Sequence, residues 1–586
     1  MASREMPRLL ASTQSSTKSV PHCWDAQVHC PIPLKRQLLA VCFILLVLAC
    51  GEARADVASW QLRNHQLDLQ HQQQQRRLER WQDKADTTSP SQAPVAAPTQ
   101  ARCWKVAGVE VAGNRHLDDA ALATTVRLNV MPCMGVAQIN TLLKAITEQY
   151  VQAGYPTSRP YLRQLPQDGH PLQIVLVEGF VESIELAGPE LPLSLSGAFP
   201  DLLGHPLYLP DVEQGLDQLN RLRAFDMGVD LLPGQMQGGT RVVVQPRRAD
   251  GRWHFDTRFD NRGSDFTGRH RLTAGIGVDS PLQLNDDLRL SLTHTVLGGP
   301  GRSQGISLYY SIPYGRWTFA LSASELRYQA PLPSGRLSAD GRSRYQGLSA
   351  ERVLWRGQSG MLSASLRLDR KALVNRNAGA VIVQQSPTLT SVEAGLNLLW
   401  LQHGLWNGYL GVAQGVPMLG ADRKPLGVQR LRPDFRKYRA SLLYIGQGPA
   451  SQPWRWQSEL NGQYSQDALP AVEQMLVSDD SAVRGFRLQT YSGATSAVWR
   501  NTVSSPLPQT WGAPLHVRPY IGLDLGWTRT AAGSPSQRLA GAAAGLEFSL
   551  PGSRLRLDYQ RALYASDHPG RPNEPGFWVL DWSMTL

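Results

Sequence analysis

The residues whose type and spacing suggest definite chemistry are a pair of cysteines and one arginine. Of six cysteines, Cys23, Cys30, Cys42 and Cys50 fall in a stretch that reads as an export leader, leaving Cys103 and Cys133. An even pair in an oxidising compartment favours a disulfide, and a loop of this length would stabilise the fold by roughly 3–4 kcal/mol. The other reading is two buried thiols. No CxxC and no histidine pair at ligand spacing is present, so the sequence offers no metal site. The arginine is Arg484, in Val483-Arg484-Gly485-Phe486, a loop-like stretch roughly a hundred residues before the last residue. Taken alone it reads equally as a surface turn. There is no GxSxG, no HExxH and no carboxylate pair that stands out, so neither an enzyme nor a cofactor is expected.

The elements that would position these residues change character along the chain. Residues 1–55 read as a signal peptide: Lys35-Arg36 precede the apolar run Leu38 to Ala49, and Ala53-Arg54-Ala55 offers small residues for cleavage. Val47-Leu48-Ala49-Cys50 also resembles a lipoprotein box. Residues 56–84 are polar and helix-prone, suited to a helix that plugs a wet pore or to a disordered spacer. Residues 85–101 form a Thr/Ser/Pro/Ala/Gln linker. Residues 102–178 and 179–250 read as two similar α+β modules. In the first, strands are expected at Val106–Ala112 and Leu172–Val177, with a helix at Ile139–Ala153. In the second, strands are expected at Val181–Leu186 and Thr240–Gln245, with a helix at Asp211–Leu222.

From residue 251 to 586 the period is two. Leu288, Leu290 and Leu292 alternate with Arg289, Ser291 and Thr293. Leu362, Ala364, Leu366 and Leu368 alternate with Ser363, Ser365, Arg367 and Asp369. A soluble sandwich has no place for so many Arg and Asp inside strands. A membrane barrel does, with apolar residues toward lipid and charges lining the lumen. No later stretch has 18 consecutive apolar residues, so a membrane-bound form would have to cross with a closed barrel. At roughly 20 residues per strand and connection, the segment accommodates about 16 strands. The chain carries a net charge of +11; removing the leader's six Lys/Arg and three acids leaves 53 − 45 = +8. Basic loops or a basic lumen account for this. No lysine-rich patch with interleaved aromatics points to nucleic acid.

Together these residues resemble the hemolysin-activator and filamentous-hemagglutinin-transporter family (ShlB/FhaC/HecB), the TpsB transporters of two-partner secretion within the BamA-like superfamily. Pro132-Cys133-Met134-Gly135 and Gly154-Tyr155-Pro156-Thr157 resemble its first POTRA module, and Val177-Glu178-Gly179 the junction with the second. Leu216–Leu222 and Leu232-Pro233-Gly234 resemble POTRA2; Asp260-Asn261-Arg262-Gly263 resembles the start of the barrel. Val483-Arg484-Gly485-Phe486 resembles the motif of the sixth outer loop. The resemblance implies that this loop folds into the lumen, where Arg484 would pair with Asp524 in Tyr520-Ile521-Gly522-Leu523-Asp524-Leu525-Gly526. It also implies a monomer in the bacterial outer membrane with periplasmic POTRA modules. Its partners would be a secreted TpsA-type exoprotein (a hemolysin, adhesin or contact-dependent toxin), outer-membrane lipid or lipopolysaccharide, and the barrel-assembly machinery. An outer-membrane assembly insertase is the alternative, disfavoured by the presence of only two modules. Two departures stand out. Val477-Ser478-Asp479-Asp480 replaces the family's usual glycine pair, and Leu586 stands where an aromatic terminus is usual.

Overall fold

The structure is a computed structural model. It describes residues 103–586 except 265–266, 332–337, 428–429, 450, 509–513 and 567–573; the leader and the plug-helix segment lie outside the described residues. Among those described, no helix is long and apolar enough to cross a membrane.

The two modules share one plan, as the repeat in the sequence suggests. In the first, strand Val109–Ala112 runs parallel to Leu172–Val177, which pairs antiparallel with Arg159–Leu162. In the second, Phe180–Leu186 runs parallel to Gly239–Ala249, which pairs antiparallel with Phe225–Pro233. Two helices cover each sheet: Asp119–Asn129 and Val136–Gln152 in the first module, Leu195–Ala198 and Leu209–Leu219 in the second. The first core is Ile139, Leu142, Ile146 and Tyr150 from the second helix and Met134 just before it, against Leu172, Ile174 and Leu176. The alternating half of Leu172–Val177 supplies its floor, since a strand with period two turns every other side chain inward.

Sequence and structure differ here in instructive ways. The first strand starts at Val109, because Gly108 adopts a φ of +153° that interrupts the extended run from Val106. Helix Asp119–Asn129 was not anticipated: only Leu122 on it is buried, so its apolar stripe is faint. It starts because Asp118 caps it, accepting from the Ala121 N–H. Cys103 and Cys133 form a disulfide, with Cα atoms 5.6 Å apart. It joins two short strands, Cys103–Lys105 and Cys133–Gly135, so the beginning of the module is tied to the start of its second helix.

The barrel is closed and antiparallel. Sixteen full strands run from Trp253–Asp260 to Phe577–Thr585, with a two-residue strand at Ala380–Val381 alongside. Leu290, Leu292, Leu366, Leu396, Leu410, Trp499, Ile521 and Trp578 are exposed on the outside. Asp524, Asp558, Gln560, Glu393 and Lys437 are buried on the inside. That is the inverted alternation of a membrane barrel. The seam, where the last strand meets the first, is the shortest ladder between full strands: five residue pairs, from Thr585–Asp256 to Asp581–Asp260.

The second module is docked on the turns at the barrel's inner end. Gln218 Nε2 donates to the Gly315 carbonyl (2.9 Å), and Arg221 Nη1 to Ser311 Oγ (2.7 Å). Arg356, nearly buried, bonds Asp217 at 2.7 Å. Ser194 and Asn285 exchange two hydrogen bonds, at 2.9 and 2.7 Å. Several such bonds at once fix the module's pose more firmly than any single exposed pair.

Candidate functional site: a loop folded into the lumen

Residues 465–494 connect strand Arg455–Tyr464 to Thr495–Ser504 and form the sixth connection on the end of the barrel away from the modules. This long excursion is buried. Leu469, Val472, Val477, Val483 and Phe486 are nearly fully covered, and so are Glu473, Ser478 and Arg484. A small ribbon, Met475–Leu476 against Ser492–Gly493, shapes the stem. A parallel bridge between Ser478 and Val483 turns the tip.

At the tip, Arg484 is 1 % exposed and Asp524 0 %. Arg484 Nε donates to Asp524 Oδ2 at 2.6 Å and Nη2 to Oδ1 at 2.6 Å, while its backbone N–H donates to Oδ2 at 3.0 Å. Nη2 also reaches the Asn501 carbonyl and Thr502 Oγ1, both at 3.2 Å. The planar fork of a guanidinium matches a carboxylate in this bidentate way, which a lysine cannot do. Gly485 follows with φ +94° and donates its N–H to Gln560 Oε1. A side chain there would meet the backbone of Arg561 and Ala562 at 2.2–2.3 Å, so only glycine passes. Val483 packs with Val477, Val498 and Leu539. Phe486 stands edge-on to Tyr491, with centroids 5.7 Å apart.

The wall is hollowed to receive this tip. A Cβ on Gly522 would meet Arg484 Nη2 at 2.2 Å, and one on Gly541 would meet the Arg484 carbonyl oxygen at 1.8 Å. A Cβ on Gly526 would lie 2.5 Å from Val477. Gly522, Asp524 and Gly526 share one face of their strand, and Gly541 is the cross-strand partner of Asp524. Glycine weakens a strand interior, and here each position makes room for a close approach.

Two further anchors were not singled out from the sequence. At the stem, Glu473 is held between Lys371 Nζ (2.8 Å) and Lys437 Nζ (2.7 Å). On the far side, Asp480 pairs with Arg262 (3.0 Å), which also bonds Asp581 (2.7 Å) on the last strand. The backbone N–H groups of Arg487, Leu488 and Gln489 all donate to Glu574 at 2.6–2.8 Å, and Arg487 stacks 4.0 Å over Phe577. The loop therefore touches both edges of the seam. The acidic Asp479-Asp480 that replaces the glycine pair supplies one of these contacts, and Asp479 adopts φ +122°. A signal existed for the glycine cradle in the spacing Gly522-x-Asp524-x-Gly526. For the lysines there was none, since they lie 102 and 36 residues from Glu473.

Outside the barrel, the junction of the modules centres on Glu178. Burial raises the affinity of its carboxyl for a proton. The N–H of Arg115, the His116 ring (2.6 Å) and the Tyr150 hydroxyl (3.0 Å) outweigh this and hold it below the usual carboxylate range. Burial, then the hydrogen bond to Glu178, pushes Tyr150 well up. The rings of His116, Tyr155 and Tyr208 follow one another across the junction in tilted contacts, with centroids 4.9 and 5.3 Å apart.

An outward-apolar barrel, two docked α+β modules and an arginine-tipped loop inside the lumen define a transport barrel of the outer membrane, with its modules in the periplasm. The haemolysin secretion/activation protein ShlB/FhaC/HecB model matches residues 238–548, a ShlB-type POTRA model matches 104–179, and a further POTRA model 180–233. The chain belongs to the ShlB/FhaC/HecB family, the outer-membrane transporters of two-partner secretion. It is 32% identical to the hemolysin transporter protein ShlB of Serratia marcescens over 88% of this chain and 91% of that one. It is 30% identical to the hemolysin transporter protein HpmB of Proteus mirabilis over 89% and 93%. The solved structure of CdiB from Escherichia coli superposes with a TM-score of 0.78 at 25% identity, covering 89% of this chain and 98% of that one. These relatives are transporters, which favours that reading over an assembly insertase.

Proposed function

We propose that this transporter takes an extended TpsA-type exoprotein from the periplasm through its POTRA modules, here bounded as 102–178 and 179–250, and passes it outward through the 251–586 barrel. The observation that carries this is the sixth loop. It is buried inside the barrel, yet it is held there by discrete polar anchors, a construction suited to a closure that can be displaced. Sheet edges in the modules suit recognition of an unfolded chain, because main-chain hydrogen bonds bind extended segments with little demand on sequence. In this account Arg484 and Asp524 are positioning residues that hold the loop, with Val483, Gly485 and Phe486 fitting the tip to the wall. The polar composition of residues 56–84 supports a second occupant of the lumen, a helix that leaves it during transport. Relatives named as hemolysin transporters support a hemolysin-type cargo.

The test is deletion of residues 102–247 in cells that also express a TpsA-type exoprotein partner. Secretion should fall to background while the barrel still inserts and conducts. Secretion unchanged by the deletion would contradict module-based recognition. Removing residues 57–100 should raise single-channel conductance in planar bilayers, and an unchanged conductance would refute the plug.

A further inference from the structure

We infer that the outer face of strands Arg302–Tyr314, Trp317–Pro331, Ser338–Gly357 and Gly360–Asn377 carries a binding site for the phosphates of lipid A, the phosphorylated glycolipid of the outer leaflet. The inference rests on the outer-membrane placement of the barrel and is independent of the exoprotein and of the loop. Leu308, Leu321, Leu348 and Leu366 are exposed on this face and form its apolar belt. Beyond them, on the same face and toward the outer loops, the side chains change abruptly to arginine. The cross-strand register places Glu325 opposite Arg344, Arg327 opposite Arg342, Arg302 opposite Gln329, Gln346 opposite Arg370 and Asp340 opposite Arg376. Six arginines thus stand together against two carboxylates. Arg344 lies four residues beyond Leu348, about 13 Å along the strand, where a lipid headgroup meets the acyl region.

The arrangement is built. Glu325 accepts from Arg327 at 2.7 Å, from Arg344 at 3.0 Å and from Arg342. One carboxylate so shared fans three guanidiniums apart and saturates its own lone pairs. Three guanidiniums carry about fifteen N–H donors, far more than one carboxylate accepts. Arg342 Nε is buried without a hydrogen-bond partner. Arg327 and Arg344 remain about half exposed, at 56% and 52%. A surplus of positive charge held this close is stabilised by an anion, and guanidinium forks match phosphate oxygens bidentately. The site faces sideways, continuous with the belt, and not into the lumen. That selects a phosphorylated amphiphile whose chains lie on the belt over a passing acidic polypeptide.

The test uses the full-length protein in detergent and measures its affinity for bisphosphorylated lipid A and for the same lipid dephosphorylated, by native mass spectrometry. The phosphorylated form should bind at least tenfold more tightly. In E325Q/R327Q/R342Q/R344Q, which leaves no unpaired carboxylate behind, that preference should vanish, whereas R432Q/R436Q at another part of the rim should retain it. Equal binding of the two lipids to the unaltered protein overturns the inference, and this arm needs no variant to fold. A preference that survives in the quadruple variant, shown folded by heat-modifiability, also overturns it. So does full displacement of the lipid by millimolar inorganic phosphate or by an acidic peptide, which would make this a simple anion site or a polypeptide site.

Discussion

The cores of the POTRA modules and the loop inside the barrel are both buried, and a different balance of chemistry holds each in place. Each module closes around aliphatic and aromatic side chains. Leu142, Ile146, Ile174 and Tyr150 in the first are completely covered, and Val181, Leu207, Leu219 and Val242 fill the second. The barrel has turned most of its apolar residues outward, so its interior wall is largely polar. The loop meets it through Arg484–Asp524, Lys371–Glu473–Lys437 and Arg262–Asp480, alongside three small apolar clusters, around Val483 and Phe486, around Val472 and around Leu469. Apolar contacts are non-directional and degrade gradually. A bidentate pair is made or broken, and once broken it leaves a desolvated charge behind. A domain that must stay folded uses the first kind of contact; a segment that must occupy one pose and be able to leave it uses the second.

The comparison is broken most severely in a module core. Leu142→Ala should destabilise the first module by about 2–5 kcal/mol. Hydrogen exchange should show this across 109–177, with heat-modifiability of the barrel unchanged. Loss of barrel assembly would mean that the two parts do not fold as separately as their cores suggest. Cys133→Ser removes the only covalent tie among the described residues and should cost the same module roughly 3–4 kcal/mol, measured by denaturant titration with and without reductant. Wild-type protein that is indifferent to reductant would contradict it. In the wall, Gly541→Ala puts a methyl where the Arg484 carbonyl lies. A cost of about 1–3 kcal/mol should fall on the seating of the loop, read as raised conductance from a normally inserted barrel. The smallest effect expected is at the junction. Because the Glu178 carboxyl is held below its usual range, the stability it contributes is present above pH about 4.5 and is lost as pH falls through that range. Amide protection at Asn114–Leu117 should decline there, and Glu178→Gln should remove the decline.

Much of this was legible in the sequence, for physical reasons that also mark what was not. The period of two survives because every strand has one wet face and one lipid face. The strand count follows from length. Leu172–Val177 was placed to the residue because its nearly continuous aliphatic run is bounded by Pro171 and by Glu178-Gly179, whereas helix Asp119–Asn129 was missed because it buries one leucine. The arginine of the tip was visible through its motif, and Asp524 through the strand that resembles the family's. The lysines around Glu473, the ties of Asp480 and Glu574 to the seam, and the purpose of Gly522, Gly526 and Gly541 were not. Each depends on which strand stands across the lumen, and neither charge nor glycine carries that information locally. A glycine in a strand reads as a weakness until the loop that needs the space is known.

The central claim is that one buried ion pair seats the loop on which transport depends. The direct measurement is exoprotein in the culture supernatant, normalised to heat-modifiable barrel, for Arg484→Ala, Asp524→Ala and the double variant. Either single change leaves its partner desolvated, at a cost of about 3–5 kcal/mol. Each should therefore nearly abolish secretion without loss of inserted barrel, and the double variant should be less impaired than the two defects combined. Wild-type secretion from Arg484→Ala, or strictly additive defects, would contradict the account and leave Val483–Phe486 as a loop that merely happens to be buried.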